Sequence, residues 1–410
     1  MSQFIKIEEP LRPSPRAAQT SQPLPATGLF GGALWRLGFR PFYLLASGFA
    51  ALSIALWALQ FMGWLHGAYL QGPLWHAHEM LFGYTLAVLV GFLLTAGRNW
   101  SNRPTLAGPA LAGLALLWLA GRVLVLTPYA WAAALVNTAF PLCAAVALAL
   151  PFIAARNRRN YFFIALLGLL GLAQLSLHLA QLGVIQIPPW AGLQLGLDVL
   201  LFILAVMAGR VIPMFTNNGV RGAKAQKLPW LERLALGSVL ALLAADLLRL
   251  PASVLSALLL LAAGAHLARW LLWQPWATWR APLVWVLHLA YLWIPIHLLL
   301  RAGAEIAGWP ASAATHALTV GAIGSLTLGM MSRTARGHTG LSLQAGRAEL
   351  IAFVLLALAA PLRVFLPLFA PALLPLSVGL AAGLWSTAFA LYFIRFWPVL
   401  TRPRVDGKPG

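Results

Sequence analysis

From residue 42 onward the chain alternates long apolar runs with short breaks made of charge, proline or glycine. An apolar run of about 20 residues is the length of helix that crosses a bilayer. Twelve such runs are legible: residues 42–65, 77–97, 105–126, 130–155, 161–183, 190–213, 230–249, 252–272, 281–301, 312–332, 348–368 and 372–396. The pattern predicts an all-α polytopic membrane protein, a single bundle of about 12 transmembrane helices occupying residues 35–398. The polar, Pro/Ser/Gln-rich residues 1–34 read as a disordered cytoplasmic tail, and 399–410 as a second cytoplasmic tail.

The breaks alternate in charge. Trp64–Trp75 and Gly183–Trp190 carry no Lys or Arg. The intervening breaks are basic: Arg98 and Arg103; Arg156, Arg158 and Arg159; Arg221, Lys224 and Lys227; Arg269 and Arg280; Arg333, Arg336 and Arg347. The positive-inside rule then places both termini in the cytoplasm, with Arg249 and Arg301 as minor exceptions near outer ends.

Composition sharpens this. Of 410 residues, 61% are hydrophobic and 9% charged, against about 25% charged in a soluble domain. The net charge of +19 sits in the loops, so it speaks for topology and anionic lipid rather than for nucleic acid. Cys143 is the single cysteine, which excludes an intrachain disulfide, a Cys-held iron–sulfur cluster and a covalently attached haem.

Ionisable groups inside such runs are costly, and by default they mark function. The segment Trp75-His76-Ala77-His78-Glu79-Met80 places two imidazoles and a carboxylate at the start of the second run. With the topology above, His76, His78, His178, His297 and His316 fall in one layer, within roughly 10 Å of the outer boundary at 1.5 Å per residue. Asp198 and Asp246 share the outer half, whereas His266 and His288 lie deeper and Gly337-His338-Thr339 falls in a cytoplasmic loop. Neutral imidazole is a common ligand of haem iron and copper, so the layer is a candidate cofactor site. His76 and His78 point about 160° apart on one helix and need not share a metal. Any one of these histidines alone reads equally well as an interhelical hydrogen bond.

Glu79 fits three roles: proton donor, partner of a ligating histidine, or a charge at a helix N-terminus. Met80 reads as packing. Arg122 is expected to pair with a carboxylate such as Asp198, and Asp246 with Arg249 at i, i+3. Pro213 and the Asn217-Asn218 pair are expected to end the sixth helix, and Gly321, Gly324 and Gly329 to allow close packing.

Several stretches together resemble the NnrS family of bacterial inner-membrane proteins. They are Gly38-Phe39-Arg40-Pro41-Phe42, the run Trp75 to Gly83, Gly91 to Ala96 with Asn99-Trp100, Gly209 to Thr216, His316 to Gly324, and Leu328 to Met331 with Arg336 to Gly340. The resemblance covers nearly the whole membrane domain. It implies a multi-pass protein of the bacterial inner membrane that contains haem and copper and takes part in the response to nitric oxide and nitrosative stress. His76, His78 and His316 sit in the matching motifs, with Glu79 beside them, while His178 and His297 rest on depth alone.

The expected function is therefore binding of nitric oxide at a His-ligated haem b and copper site in the outer half of the bundle. Reduction of NO to N2O there would make the protein an oxidoreductase, with Glu79 as proton donor and a quinol or redox protein as electron donor. Two other classes fit the same topology: a proton-coupled secondary transporter, and a non-catalytic NO or metal sensor signalling through the basic 333–347 loop.

Overall fold

The computed structural model describes residues 32–61, 63–64 and 68–408. Residues 1–31, nearly all of the expected N-terminal tail, lie outside them. Among the described residues there is no strand.

Twelve long helices follow one another. They are α1 (Phe39–Phe61), α2 (Gly72–Ser101), α3 (Gly108–Leu124), α4 (Ala130–Ala154), α5 (Phe162–Gln181) and α6 (Pro189–Gly219). Then come α7 (Pro229–Leu247), α8 (Ala252–Leu272), α9 (Pro282–Ala307), α10 (Ala311–Thr339), α11 (Arg347–Phe369) and α12 (Leu374–Leu400). Ten helices are long and apolar enough to cross a membrane. The remaining two, α3 and α7, fall short for different reasons. Helix α3 has 17 residues, and α7 carries Glu232, Arg233 and Asp246.

Proline and glycine punctuate as their backbones require. Proline occupies the first turn of α2, α3, α6, α7, α9 and α12, where its missing N–H has no helical partner to lose. Inside helices it is also tolerated, because neighbouring groups take up the freed carbonyls. Pro213 is a case in point: α6 does not stop there but runs on to Gly219. The Gly337-His338-Thr339 segment likewise belongs to the last turn of α10 rather than to a loop.

Helix α2 is the central element, with 83% of its most apolar window buried, whereas α12 is peripheral at 28%. It packs on α1 and α4; α1 leans on α12, α12 on α11, and α9 on α8 and α10. The lipid-like surface consists of exposed leucines and valines on helices such as α4 and α11. The start of α1 meets the end of α12 and the residues after it at one end of the bundle, the basic end. There the Arg40 guanidinium donates to the carbonyls of Leu400 (2.9 Å) and Arg402 (2.8 Å), and Arg404 donates to the carbonyl of His338 (2.9 Å). The expected C-terminal tail is thus folded against α1 and α10.

Two helices are locally wider than an α-helix. Residues Glu79–Thr85 of α2 and Ala317–Gly324 of α10 are π-helical, and each stretch begins directly after a histidine, His78 and His316. Such turns leave carbonyls mispaired and concentrate at functional sites. In α2 the Thr85 hydroxyl returns to the Met80 carbonyl (2.8 Å), five residues back, and so closes the wide turn.

Candidate functional site

The histidine layer is not one site. The two imidazoles of α2 diverge, and each joins a different group of helices.

His78 faces α3, α4 and α5. Its Nδ1–H donates to Glu79 Oε1 (2.7 Å), and its Nε2 accepts from the Gln174 amide (3.1 Å). The carboxylate fixes the tautomer: with the proton on Nδ1, Nε2 carries the lone pair. Arg122 donates to the same Glu79 oxygen (2.7 Å) and, through its other amino group, to Asn137 Oδ1. Asn137 is oriented in turn by donating to the Ala133 carbonyl (2.8 Å). The rings of Trp118 (5.6 Å) and Phe49 (5.9 Å) cover the guanidinium. His178, one turn beyond Gln174 on α5, lies with its ring 5.0 Å from that of His78, and the Tyr69 hydroxyl is 3.3 Å from its Nδ1.

All of this is buried: His78, Glu79, Gln174 and His178 are fully inaccessible. Glu79 and Arg122 cancel in charge, which is what makes an ion pair tolerable there. Four buried polar atoms of the network have no partner: Glu79 Oε2, Arg122 Nε, Gln174 Oε1 and His178 Nε2. The sequence allows the ion pair only because of Gly83. A Cβ at that position would land on the Arg122 guanidinium, and the Gly83 carbonyl also accepts from Trp118 Nε1 (3.0 Å).

The expected partner of Arg122 was Asp198; it is Glu79 instead. Glu79 is not a helix-end charge either, since α2 begins seven residues earlier at Gly72. Asp198 belongs to a separate group. Arg301 on α9 bridges Asp198 (3.4 Å) and Asp246, and Gln194 donates to Asp198 (2.9 Å). The i, i+3 pairing of Asp246 with Arg249 is not formed; Arg249 takes a left-handed backbone just past α7.

His76 turns the other way, against Trp57 (rings 5.0 Å apart), with its Nδ1 buried and unpartnered. Arg363 on α11 is near enough to act electrostatically on both His76 and His316, and His76 in turn on His316. His297 and His316 have a common posture. Each uses its Nδ1–H on a backbone carbonyl of the first turn of α10: His297 on Ala314 (2.8 Å) and His316 on Ser312 (2.6 Å). Among the described residues their Nε2 atoms have no hydrogen-bond partner. That is how a ligating histidine is held, one nitrogen oriented by a carbonyl and the other free. Although α9 runs past its expected end to Ala307, the Ala314 contact puts His297 level with the start of α10.

The remaining intramembrane histidines are engaged elsewhere. His266 Nε2–H donates to the Ala235 carbonyl (3.2 Å) and Nδ1 accepts from Tyr291 (2.5 Å), in a network where Arg269 holds Glu232 (2.8 Å). His288 pairs with Thr216 (2.8 Å).

Residues 33–404, nearly the whole chain, match the family model described as NnrS protein. The chain belongs to the NnrS family. A search of curated proteins returns no match. Membership agrees with a multi-pass membrane protein and with the nitric-oxide response that the motifs imply. The geometry adds a constraint to this NnrS protein. Among the described residues no group of three or more His, Cys, Asp or Glu side chains is placed to hold a metal ion.

Sequence reasoning missed three members of the buried network. Asn137, Gln174 and Tyr69 are uncharged, yet Asn137 and Gln174 are polar amides inside runs made mostly of apolar residues. A buried amide in a bilayer needs a partner as much as an ion does.

Proposed function

We propose that this NnrS protein is a twelve-helix inner-membrane protein, both termini cytoplasmic, that binds haem b and copper and removes nitric oxide. The observation that carries the reading is the posture of His297 and His316, Nδ1 fixed on a carbonyl and Nε2 free. Beside His316, His76 has an uncommitted nitrogen, and Arg363 has no hydrogen-bonding or ion-pair partner among the described residues. This donor set fits haem. His76, His297 and His316 are the imidazoles available to the iron, and Arg363 suits a propionate. The two-imidazole pair His78–His178 is the place for copper, on condition that Gln174 releases His78 Nε2. Bound in the reduced state, such metals supply an open position for NO.

The chain's own contribution is proton handling and exclusion of water. Coupling two NO to N2O and water consumes two protons and two electrons, the latter from a quinol or a redox protein. Glu79 is held by one oxygen on His78 and Arg122, while Oε2 remains uncommitted and is the atom that takes up and yields a proton. The hydrogen bonds that His78 and Arg122 donate to Oε1 keep the carboxyl group in place through that exchange.

The test is an absorption spectrum of the purified, detergent-solubilised protein, oxidised and dithionite-reduced, with and without NO. A Soret band that shifts on reduction and again with NO is expected, and it should be lost in His316→Ala. Protein produced with ample haem and copper that shows no Soret band and no copper would overturn the cofactor reading and leave the transporter class in its place.

A further inference from the structure

At the basic end, away from the histidine layer, the turn between α8 and α9 encloses a cavity of about 350 Å³ that opens to the surface. This lies at the lower end of small-molecule sites. Its walls are Trp270, Trp279, Trp285, Pro275 and Leu289, with Thr278 and His288. No lining residue is charged.

Two of the polar groups of this wall are spent on backbone carbonyls. Trp270 Nε1–H donates to the His288 carbonyl (2.9 Å) and the Thr278 hydroxyl to the Pro275 carbonyl (2.7 Å). His288 is 2% exposed, and its Nδ1 is buried without a partner. The state of that nitrogen follows from its neighbour. Thr216 spends its proton on the Ile212 carbonyl one turn back (2.9 Å), so its oxygen must accept from His288 Nε2–H (2.8 Å). Nδ1 is then a bare lone pair. The cavity thus offers flat aromatic walls for a ring and a single acceptor for an O–H. Tryptophans at a helix end also mark the depth of the membrane interface.

We propose that this cavity binds the head group of a lipid-soluble hydroquinone, its ring stacked on the tryptophans and one hydroxyl donating to His288 Nδ1. A phospholipid phosphate would be drawn to the rim, where Arg280 lies over the Trp279 ring (4.4 Å), rather than to the uncharged lining. His288 lies nine residues before His297 on α9, about 13.5 Å along the axis at 1.5 Å per residue. The site stands or falls independently of whether NO is turned over.

The experiment uses the full chain in nanodiscs of defined phospholipid free of quinone, titrated anaerobically with decylubiquinol and read by tryptophan fluorescence. Saturable quenching is expected, with Kd raised roughly tenfold in His288→Leu, the loss of one buried hydrogen bond. Trp279→Leu, at a position 66% exposed and so harmless to folding, should also weaken binding. A photoreactive azidoquinone should label residues 270–289. Quenching that never saturates or is the same in all three proteins would overturn the proposal. So would label confined to other segments, or displacement by anionic phospholipid alone, which would make the cavity a lipid site.

Discussion

Glu79 is the residue on which the buried network turns. It accepts from both His78 and Arg122 through one oxygen, so removing its charge frees an imidazole tautomer and strands a buried guanidinium together. Glu79→Gln keeps the shape and should cost about 3–5 kcal/mol, the usual penalty for breaking a buried ion pair. If Glu79 handles protons, the variant should keep its haem spectrum and lose NO consumption; unchanged consumption, followed with an NO electrode, would remove that role. The divergence of His76 and His78 was legible in the sequence, because helical spacing alone dictates it. Which residue answers Arg122 was not. Helical spacing fixes angles on one helix, whereas that pairing depends on how α2, α3 and α4 are laid side by side. Arg301 shows the same limit: near an outer end it read as a stray topological charge, yet it bridges two carboxylates.

Elements are where the apolar pattern spoke most plainly, since run length and flanking charge decide a membrane helix almost by themselves. It failed at ends. Pro213 and the Asn217-Asn218 pair looked like a stop, but α6 continues to Gly219. The π-turns were invisible, because nothing in a hydrophobic run announces a shift from four residues to five. They have a sharp steric consequence in α2. Gly83→Ala should drive Arg122 off Glu79 and lower the melting temperature in detergent well below that of Gly113→Ala. At Gly113 of α3 an added methyl meets nothing within 4 Å and should be neutral or slightly stabilising. Equal melting temperatures would show that α2 and α3 can part without loss.

The C-terminal segment offers a pH test outside the membrane. Arg404 donates two hydrogen bonds to Asp406 (2.9 and 2.6 Å) and holds its carboxyl well below the usual carboxylate value of 3.8. A depressed folded pKa adds stability that is complete above the unfolded value and fades as pH falls through the folded one. Protection of residues 401–408 from limited proteolysis should therefore be flat from neutral pH down to about the ordinary carboxylate range. It should weaken only at more acid pH, and Asp406→Asn should show no such weakening.

Across the whole molecule, polar groups are distributed in separate clusters bolted between different sets of helices. The Asp198–Arg301–Asp246 cluster ties α6, α7 and α9, and the Glu79–Arg122–Asn137 cluster ties α2, α3 and α4. Arg301→Met would leave two neighbouring carboxylates without their cation. It should destabilise the bundle by about 3–5 kcal/mol, while Asp198→Asn in the same chain should recover part of that loss. Thermal unfolding in detergent reads both, and additive losses would show that the three side chains act alone.

Arg40 links the first helix to the last. Its guanidinium is fully buried, and among the described residues its acceptors are the carbonyls of Leu400 and Arg402. A ribosome makes those acceptors some 360 residues after it makes Arg40. Throughout synthesis, then, the opening helix carries a charge whose acceptors among the described residues are not yet made, and water and lipid head groups at the basic end must solvate it meanwhile. A chain cut short before Leu400 would lack both acceptors, and its first helix would be left without this tie to the last.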